Sequence, residues 1–187
     1  MVERWQRLKS KTLGFYKIFH LREDSSRSPT TGQTHSFYVL EAPDWINVVP
    51  VTPAGEILMV RQYRHGTDEI TLEIPAGMVD PEDPDPADAA ARELREETGY
   101  AAAEIVKIGR VAPNPAFLDN YCHTYLARNV IQQGEQQLDG TEEISYELVP
   151  LETVQAMITN GDITHSLTIL AIYWYERFLT TQESAGG

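Results

Sequence analysis

Arg92-Glu93-Leu94-Arg95-Glu96-Glu97-Thr98-Gly99-Tyr100 is the stretch on which the reading of this 187-residue chain turns. Successive residues of a helix rotate by roughly 100°. Ala87, Ala90, Ala91, Leu94 and Thr98 then fall on one stripe, predicted to face the core. Asp85 suits the N-cap, Pro86 the first helical position, Asp88 an acidic capping-box place, and Gly99 the C-terminal stop. Glu93 and Glu97 share one edge of the stripe, with Glu96 beside them and farther into solvent. Like charges at this spacing cost a few tenths of a kcal/mol in water, and more where desolvation penalises each charge. Two readings stand at this point. One is a solvated acidic face with an Arg92–Glu96 ion pair, which a lone Glu-x-x-Glu-Glu favours. The other is a pair of carboxylates neutralised by a divalent cation, and hard oxygen ligands suit Mg²⁺ or Mn²⁺.

Outward from the helix, strand and turn signals alternate. Thr12–His20 and His35–Leu40 are rich in aromatic and β-branched residues, and the Ser-Ser, Ser-Pro and Thr-Gly signals of Arg22–Gln33 predict a connection between them. Trp45–Thr52 and Glu56–Arg61 flank a Pro-Ala-Gly turn at Pro53–Gly55, and Thr71–Ile74 is a short strand ending at Pro75-Ala76-Gly77. Asp80–Asp88 reads as a proline- and acid-rich loop without EF-hand spacing. Ile105–Val111, Cys122–Ala127 and Ile144–Val149 read as strands, Leu151–Ile158 and Ser166–Leu179 as helices, the second capped by Asp162 or Thr164. Strands interleaved with helices predict an α/β or α+β sandwich around a mixed sheet.

Composition narrows the function. The formal net charge is −13, from 15 Lys+Arg against 28 Asp+Glu. Such a surface repels a polyphosphate backbone, which argues against extended nucleic-acid binding. It also repels a small diphosphate, so a phosphate enzyme of this balance needs local arginines or bound cations. The opening MVERWQRLK lacks the apolar stretch of a secretory signal, and Ile169–Tyr175 is too short to span a bilayer. The single cysteine, Cys122, excludes an internal disulfide framework and suits a reducing cytoplasm.

Taken with Gly77, the segment Arg92-Glu93-Leu94-x-Glu96-Glu97-x-Gly99-Tyr100 resembles the Nudix box. That box runs Gly, five residues, Glu, seven residues, then Arg-Glu-aliphatic-x-Glu-Glu-x-Gly-aliphatic. The first half departs from it. Asp83 stands six after Gly77 where Glu is usual, and the loop before Arg92 is one residue longer. Asp83, Glu82 or Asp85 is left to replace the acid that holds the helix arginine in the family. Arg61-Gln62-Tyr63-Arg64, Leu72-Glu73-Ile74-Pro75-Ala76-Gly77, Pro115 with Phe117, and Glu142-Glu143-Ile144 before Val149-Pro150-Leu151 are similar to the ADP-ribose pyrophosphatase branch. Ala116 and Asn120 replace the Gly and Glu usual there. The resemblance runs from about Trp45 to Leu170 and implies a Nudix α-β-α sandwich for residues 45–187. It also implies an N-terminal antiparallel β appendage, residues 1–44, that makes a homodimer.

The implied activity is metal-dependent hydrolysis of the diphosphate of a nucleoside diphosphate sugar, ADP-ribose first, with ADP-glucose and GDP-mannose open. A nucleotide-sugar sensor without hydrolysis, or a nucleoside triphosphate pyrophosphohydrolase, are the alternatives. By resemblance, Glu93, Glu97 and the carbonyl of Ala76 hold the metal, with Glu96 assisting. Glu142 is the first candidate for the general base and Glu143 the second. Arg64 contacts the diphosphate, Arg61 assists, and Glu73 orients the metal site or a ribose hydroxyl. Trp45, Trp5, Tyr16 and Phe117 are the aromatics available to stack on a base. Strand alternation sets Arg61 on the opposite face from Gln62 and Arg64.

Overall fold

The computed structural model describes residues 1–186, with side chains through Gln182. The chain folds as two compact units, Met1–Asp44 with Ala112–Tyr121, and Trp45–Val111 with Cys122–Gly187. The segment Ala112–Tyr121, which sequence alone assigns to the larger domain, thus folds with the N-terminal unit.

In the first unit β1 (Gln6–Tyr16), β2 (Phe19–Arg27) and β3 (Thr34–Glu41) form an antiparallel sheet in the order β1-β2-β3. The turn signals of Arg22–Gln33 are half misleading, because Arg22 to Arg27 lie inside β2, paired on both sides. The reason is a buried polar seam. Asp24 is 6% exposed and accepts from Ser10 Oγ at 2.6 Å and Arg22 Nε at 3.1 Å. A hydrogen-bonded acid is thereby tolerated where a strand needs an inward residue. The loop 112–121 is held to β3 by Leu40 N donating to the Phe117 carbonyl at 2.8 Å, and to β2 by Arg22 Nη1 on Asp119 Oδ2 at 2.9 Å.

The second unit is a mixed sheet with helices on both faces. Its strands are β4 (Trp45–Val51), β5 (Glu56–Arg64), β6 (Glu69–Glu73), β7 (Ala76–Met78), β9 (Glu104–Val111), β10 (Cys122–Arg128) and β12 (Ile144–Pro150). The main path runs β12-β5-β4-β10-β9, β6 joins β5 and β7 joins β4. Among the described strands of this sheet, only β4 and β10 pair in parallel. The short β8 (Tyr100–Ala101) and β11 (Ile131–Gln132) form a separate pair. The helices are α1 (Pro86–Thr98), α2 (Leu151–Asn160) and α3 (Ser166–Gly186).

Strand alternation sorts the core into two layers. Ile46, Val48 and Leu58 pack with Ala89, Ala90 and Leu94 of α1, whereas Val49, Ile57 and Met59 pack with Val154 of α2 and Ala171 and Ile172 of α3. This is the expected α-β-α sandwich. The buried stripe of α1 is Ala89, Ala90, Leu94, Glu97 and Thr98, so Ala89 takes the place expected for Ala87 and Ala91, and Glu97 lies inside the stripe rather than at its edge. Helix α3 begins at Ser166, beyond Asp162 and Thr164, and the His165 carbonyl accepts from Ile169 N at 3.0 Å. Pro75-Ala76-Gly77 is more than a turn, because Ala76 pairs with Asn47 and Gly77 with Ile46.

Candidate active site

Helix α1 is aimed by its caps. Asp85 accepts from Ala87 N at 2.6 Å, and Gly99 closes the helix at φ 75°. A Cβ on Gly99 would meet the Gly134 carbonyl oxygen at 2.3 Å, so this stop needs glycine on both counts. The helix thereby lays Glu93 and Glu97 against the backbone of β7. Glu97 is 3% exposed, and its Oε2 accepts from Ala76 N at 3.3 Å. Glu93 lies so close to Gly77 that a Cβ there would stand 2.0 Å from Oε1. Any side chain at 77 would displace that carboxylate. Burial first, and then the neighbouring charge of Glu93, raises the Glu97 carboxyl well above its ordinary range. Burial likewise pushes Glu93 up to about 7, against the lowering influence of Arg92.

Arg92 organises the other side of the helix. It takes Asp83 through Nε at 3.2 Å and Nη2 at 2.9 Å, and donates to the Met78 carbonyl at 3.1 Å. Of the three acids left open by sequence, Asp83 therefore holds the helix arginine. Arg92 Nη1 also reaches Glu93 at 2.9 Å and Glu96 at 3.0 Å. Glu96 is accordingly tied to Arg92, as the solvated-face reading expected, while Glu93 and Glu97 turn inward.

A second polar cluster lies on β5 and β6. Alternation from Leu58 carries Val60, Gln62 and Arg64 to the α1 face of the sheet, and Val60 pairs with Glu73. Arg64 grips Glu73 with a fork, Nε to Oε1 at 2.7 Å and Nη2 to Oε2 at 2.6 Å. Thr71 Oγ1 adds a bond to Oε1 at 2.6 Å, and His165 Nδ1 lies 3.0 Å from Oε2. Glu73 is fully buried, which alone would raise its pKa, yet the Arg64 fork, His165 and Thr71 together outweigh burial and hold the carboxyl below its ordinary value. The Nε2 atom of Gln62 is buried without a hydrogen-bond partner.

The remaining predicted residues scatter. Arg61 faces away and pairs with Glu147 at 2.8 Å. Glu142 is exposed in a turn, accepting from Asp139 N at 3.1 Å, yet its charge is felt by both Glu93 and Glu97. Glu143 is exposed. Phe117, 44% exposed, belongs to the N-terminal unit, as do Trp5, packed edge-on against Phe37, and Tyr16, tilted against Phe19. Trp45 opens β4 opposite Met78. Sequence reasoning missed His165 and Gln62. Strand alternation from Arg64 was a usable signal for Gln62, whereas nothing local marked His165, whose partner lies 92 residues away.

Do these residues suit a divalent cation? Among the described residues, no group of three or more His, Cys, Asp or Glu side chains is gathered tightly enough to hold an ion. What the site offers is two desolvated carboxylates converging on the Ala76–Gly77 backbone, with Glu97 served by one long amide contact. Hard oxygens in this number fit a cation that keeps waters and shares its remaining positions with a phosphate.

This fold and box define a class. Residues 43–168 match the model of the NUDIX domain, and the chain belongs to the Nudix family of hydrolases. Its relatives put it in the ADP-ribose pyrophosphatase branch. The ADP-ribose pyrophosphatase of Bacillus subtilis (strain 168) is 30% identical over 161 residues, 86% of each chain. That of Mycobacterium tuberculosis (strain ATCC 25618 / H37Rv) is 30% identical over 169 residues, 90% of this chain and 81% of the other. A crystal structure of an ADP compounds hydrolase matches with a TM-score of 0.85 over 97% of both chains at 18% identity, which shows the shared fold. Hydrolases of this family generally need divalent metal ions.

Proposed function

We propose that the protein hydrolyses the diphosphate bond of a nucleoside diphosphate sugar, with ADP-ribose the first substrate, to a nucleoside monophosphate and a sugar phosphate. The observation that carries this reading is the Glu93–Glu97 pair, two acids buried together beside Ala76 and Gly77, where the arginine on Glu93, Arg92, is already shared with Asp83 and Glu96. Glu93, Glu97 and the Ala76 carbonyl are the proposed metal ligands, and Glu96 assists from its place on Arg92. Bound Mg²⁺ or Mn²⁺ supplies offsetting charge for the diphosphate and a more acidic water.

The chain's own groups bind and orient. Arg64 uses Nε and Nη2 on Glu73, which leaves Nη1 to meet a phosphate oxygen. Gln62 contributes a buried amide donor on the same face. Glu142 takes the proton of the attacking water, with Glu143 the second candidate, and attack is in line at phosphorus. Arg61 is directed to Glu147 and is given no role in the reaction. Phe117 remains a proposed contact for the nucleotide, carried by a loop built into the N-terminal unit.

The N-terminal unit exposes Trp5, Phe15, Tyr16, Ile18, Phe37 and Tyr38. An apolar set of that size favours burial against a second copy, so a homodimer is the proposed assembly. The buried lone Cys122 accords with a cytoplasmic setting. No helix among the described residues is long and apolar enough to cross a membrane.

The deciding experiment incubates the protein with ADP-ribose and Mg²⁺, with and without chelator, and follows AMP. The expected result is cation-dependent AMP release. Binding of ADP-ribose without AMP would instead mean a sensor, and pyrophosphate release from nucleoside triphosphates would mean a triphosphate pyrophosphohydrolase.

A further inference from the structure

We propose that His165, protonated on Nδ1, is a positioning residue that locks the Glu73 carboxylate and through it aims Arg64 at the diphosphate. The proposal rests on the reading that Arg64 binds phosphate, and its test separates the two.

Glu73 is fully buried, so each oxygen of its carboxylate must be satisfied by protein. Oε1 receives Arg64 Nε and the Thr71 hydroxyl, whereas Oε2 receives Arg64 Nη2 and, on its other side, lies 3.0 Å from His165 Nδ1. Remove His165 and Oε2 keeps a single donor. The carboxylate is then anchored on one side only, and the Arg64 fork that rides on it loses its fixed plane.

The same contacts decide the tautomer. His165 Nδ1 lies 2.9 Å from Thr168 Oγ1 as well as 3.0 Å from Glu73 Oε2. One ring nitrogen cannot accept from Thr168 and donate to Glu73 at once. An ionised carboxylate is acceptor-only, so Nδ1 carries the hydrogen and the Thr168 oxygen is a second acceptor for it. Burial is the largest influence and lowers the His165 pKa, the charge of Glu73 opposes it and that of Arg64 adds to it, so the ring is neutral at neutral pH. Nε2 therefore holds the lone pair.

His165 is not needed to dock α3. Asn47 Nδ2 donates to the Leu167 carbonyl at 3.1 Å, and fully buried Thr168 accepts from Ile74 N at 3.4 Å. Those two bonds fix the first turn of the helix independently of the imidazole, which is about one-quarter exposed (26%). The histidine therefore stands at the meeting point of α3, β5 and β6 for a reason other than holding them together.

The test compares kcat and KM for ADP-ribose with Mg²⁺ in the wild type, His165→Leu, His165→Asn and Arg64→Ala, alongside thermal midpoints. His165→Leu is expected to raise KM about tenfold, the loss typical of one hydrogen bond to a charge, with kcat and the midpoint little moved. His165→Asn, whose amide nitrogen falls where Nδ1 was, should restore KM to within about threefold of the wild type. The double variant Arg64→Ala/His165→Leu should be no worse than Arg64→Ala, because both act through one arginine. Long-range nitrogen NMR at neutral pH should show the proton on Nδ1 and a bare Nε2. An unchanged KM in His165→Leu beside a raised KM in Arg64→Ala would sink the positioning role alone. An unchanged KM in Arg64→Ala would remove the phosphate reading of Arg64 and the proposal with it. A proton found on Nε2 overturns the proposal whatever the kinetics.

Discussion

Glu73 and Glu97 are equally hidden from water, at 0% and 3% exposure, yet their carboxyls shift in opposite directions. Glu73 receives a bidentate guanidinium, a hydroxyl and an imidazole, and its pKa falls. Glu97 receives one amide at 3.3 Å and faces a second carboxylate, and its pKa rises. Burial sets the size of the penalty, and the donors present decide whether it is met. A site that meets the penalty internally is built to hold a shape. A site that leaves it unmet has the chemistry of a receptor for a cation. The two lie on one face of one sheet, so the comparison isolates pairing from depth.

The widest separation is expected from Glu97→Gln, which removes a cation ligand while keeping volume. Turnover should fall by about 10³-fold, roughly 4 kcal/mol of transition-state stabilisation. Stability in chelator should not fall, because the replaced acid was itself unsatisfied. Steady-state assay and urea denaturation of one preparation read both. A Glu97→Gln enzyme with unchanged turnover would break the comparison at its functional end. Glu73→Gln should behave in the reverse sense, losing about 3 kcal/mol of stability as Arg64 is left without its counter-charge. The low end of the range applies because the Arg64 side chain is 40% exposed and water can partly replace the fork.

Stability against pH sharpens the contrast. The Glu93 pKa rises from an ordinary 4.5 to about 7, so its contribution is fully present below the unfolded value and is lost as pH climbs through about 7. Chelator-treated protein should therefore weaken between about pH 5 and 8, by on the order of 2–3 kcal/mol. Mg²⁺ should flatten that slope, and Glu93→Gln should reduce it to the part that the buried Glu97 carboxyl contributes. Glu73, whose pKa is lowered, contributes stability above its unfolded value and loses it only as pH falls through the lower folded value. A metal-free protein whose stability is level from pH 5 to 8 would contradict the unmet-penalty account of α1.

Much of this was legible in the chain. The caps at Asp85 and Gly99, the interleaved strands and helices and the spacing of Glu93 and Glu97 all follow from local rules, and the structure carries them. The misreadings have a common cause in tertiary compensation. Ser25 and Ser26 read as a turn because their type favours one, but Arg22 and Asp24 make a polar strand acceptable. Glu97 was expected at the rim of its helix face because a charge belongs there, and it is buried where α1 lies on β7 and the Ala76 amide meets its carboxylate. The Glu73–His165 contact spans 92 residues and arises only when α3 returns to the sheet, so no local pattern announces it. The grouping of Ala112–Tyr121 with the N-terminal sheet is hidden for the same reason, since it depends on the Leu40–Phe117 and Arg22–Asp119 contacts.

The smallest expected effect probes the border between the two kinds of site. Asp83 meets part of the charge of Arg92, at 2.9 and 3.2 Å, and the arginine pKa is raised chiefly by that bond. Arg92 would still keep Asp80, Glu93, Glu96 and the Met78 carbonyl in Asp83→Ala. The loss should be only about 1 kcal/mol, as for a partly exposed ion pair. Its consequence for function is directional. An arginine freed from Asp83 presses its charge on Glu93 and competes with the cation there, so the Mg²⁺ concentration for half-maximal activity should rise, by about tenfold at most. Asp83→Glu, which restores the acid usual in the Nudix box, should leave the Mg²⁺ dependence close to the wild type if holding Arg92 is the whole of its task. A Mg²⁺ requirement shifted as far by Asp83→Glu as by Asp83→Ala would mean that the longer loop, and not the charge, sets the position of the arginine.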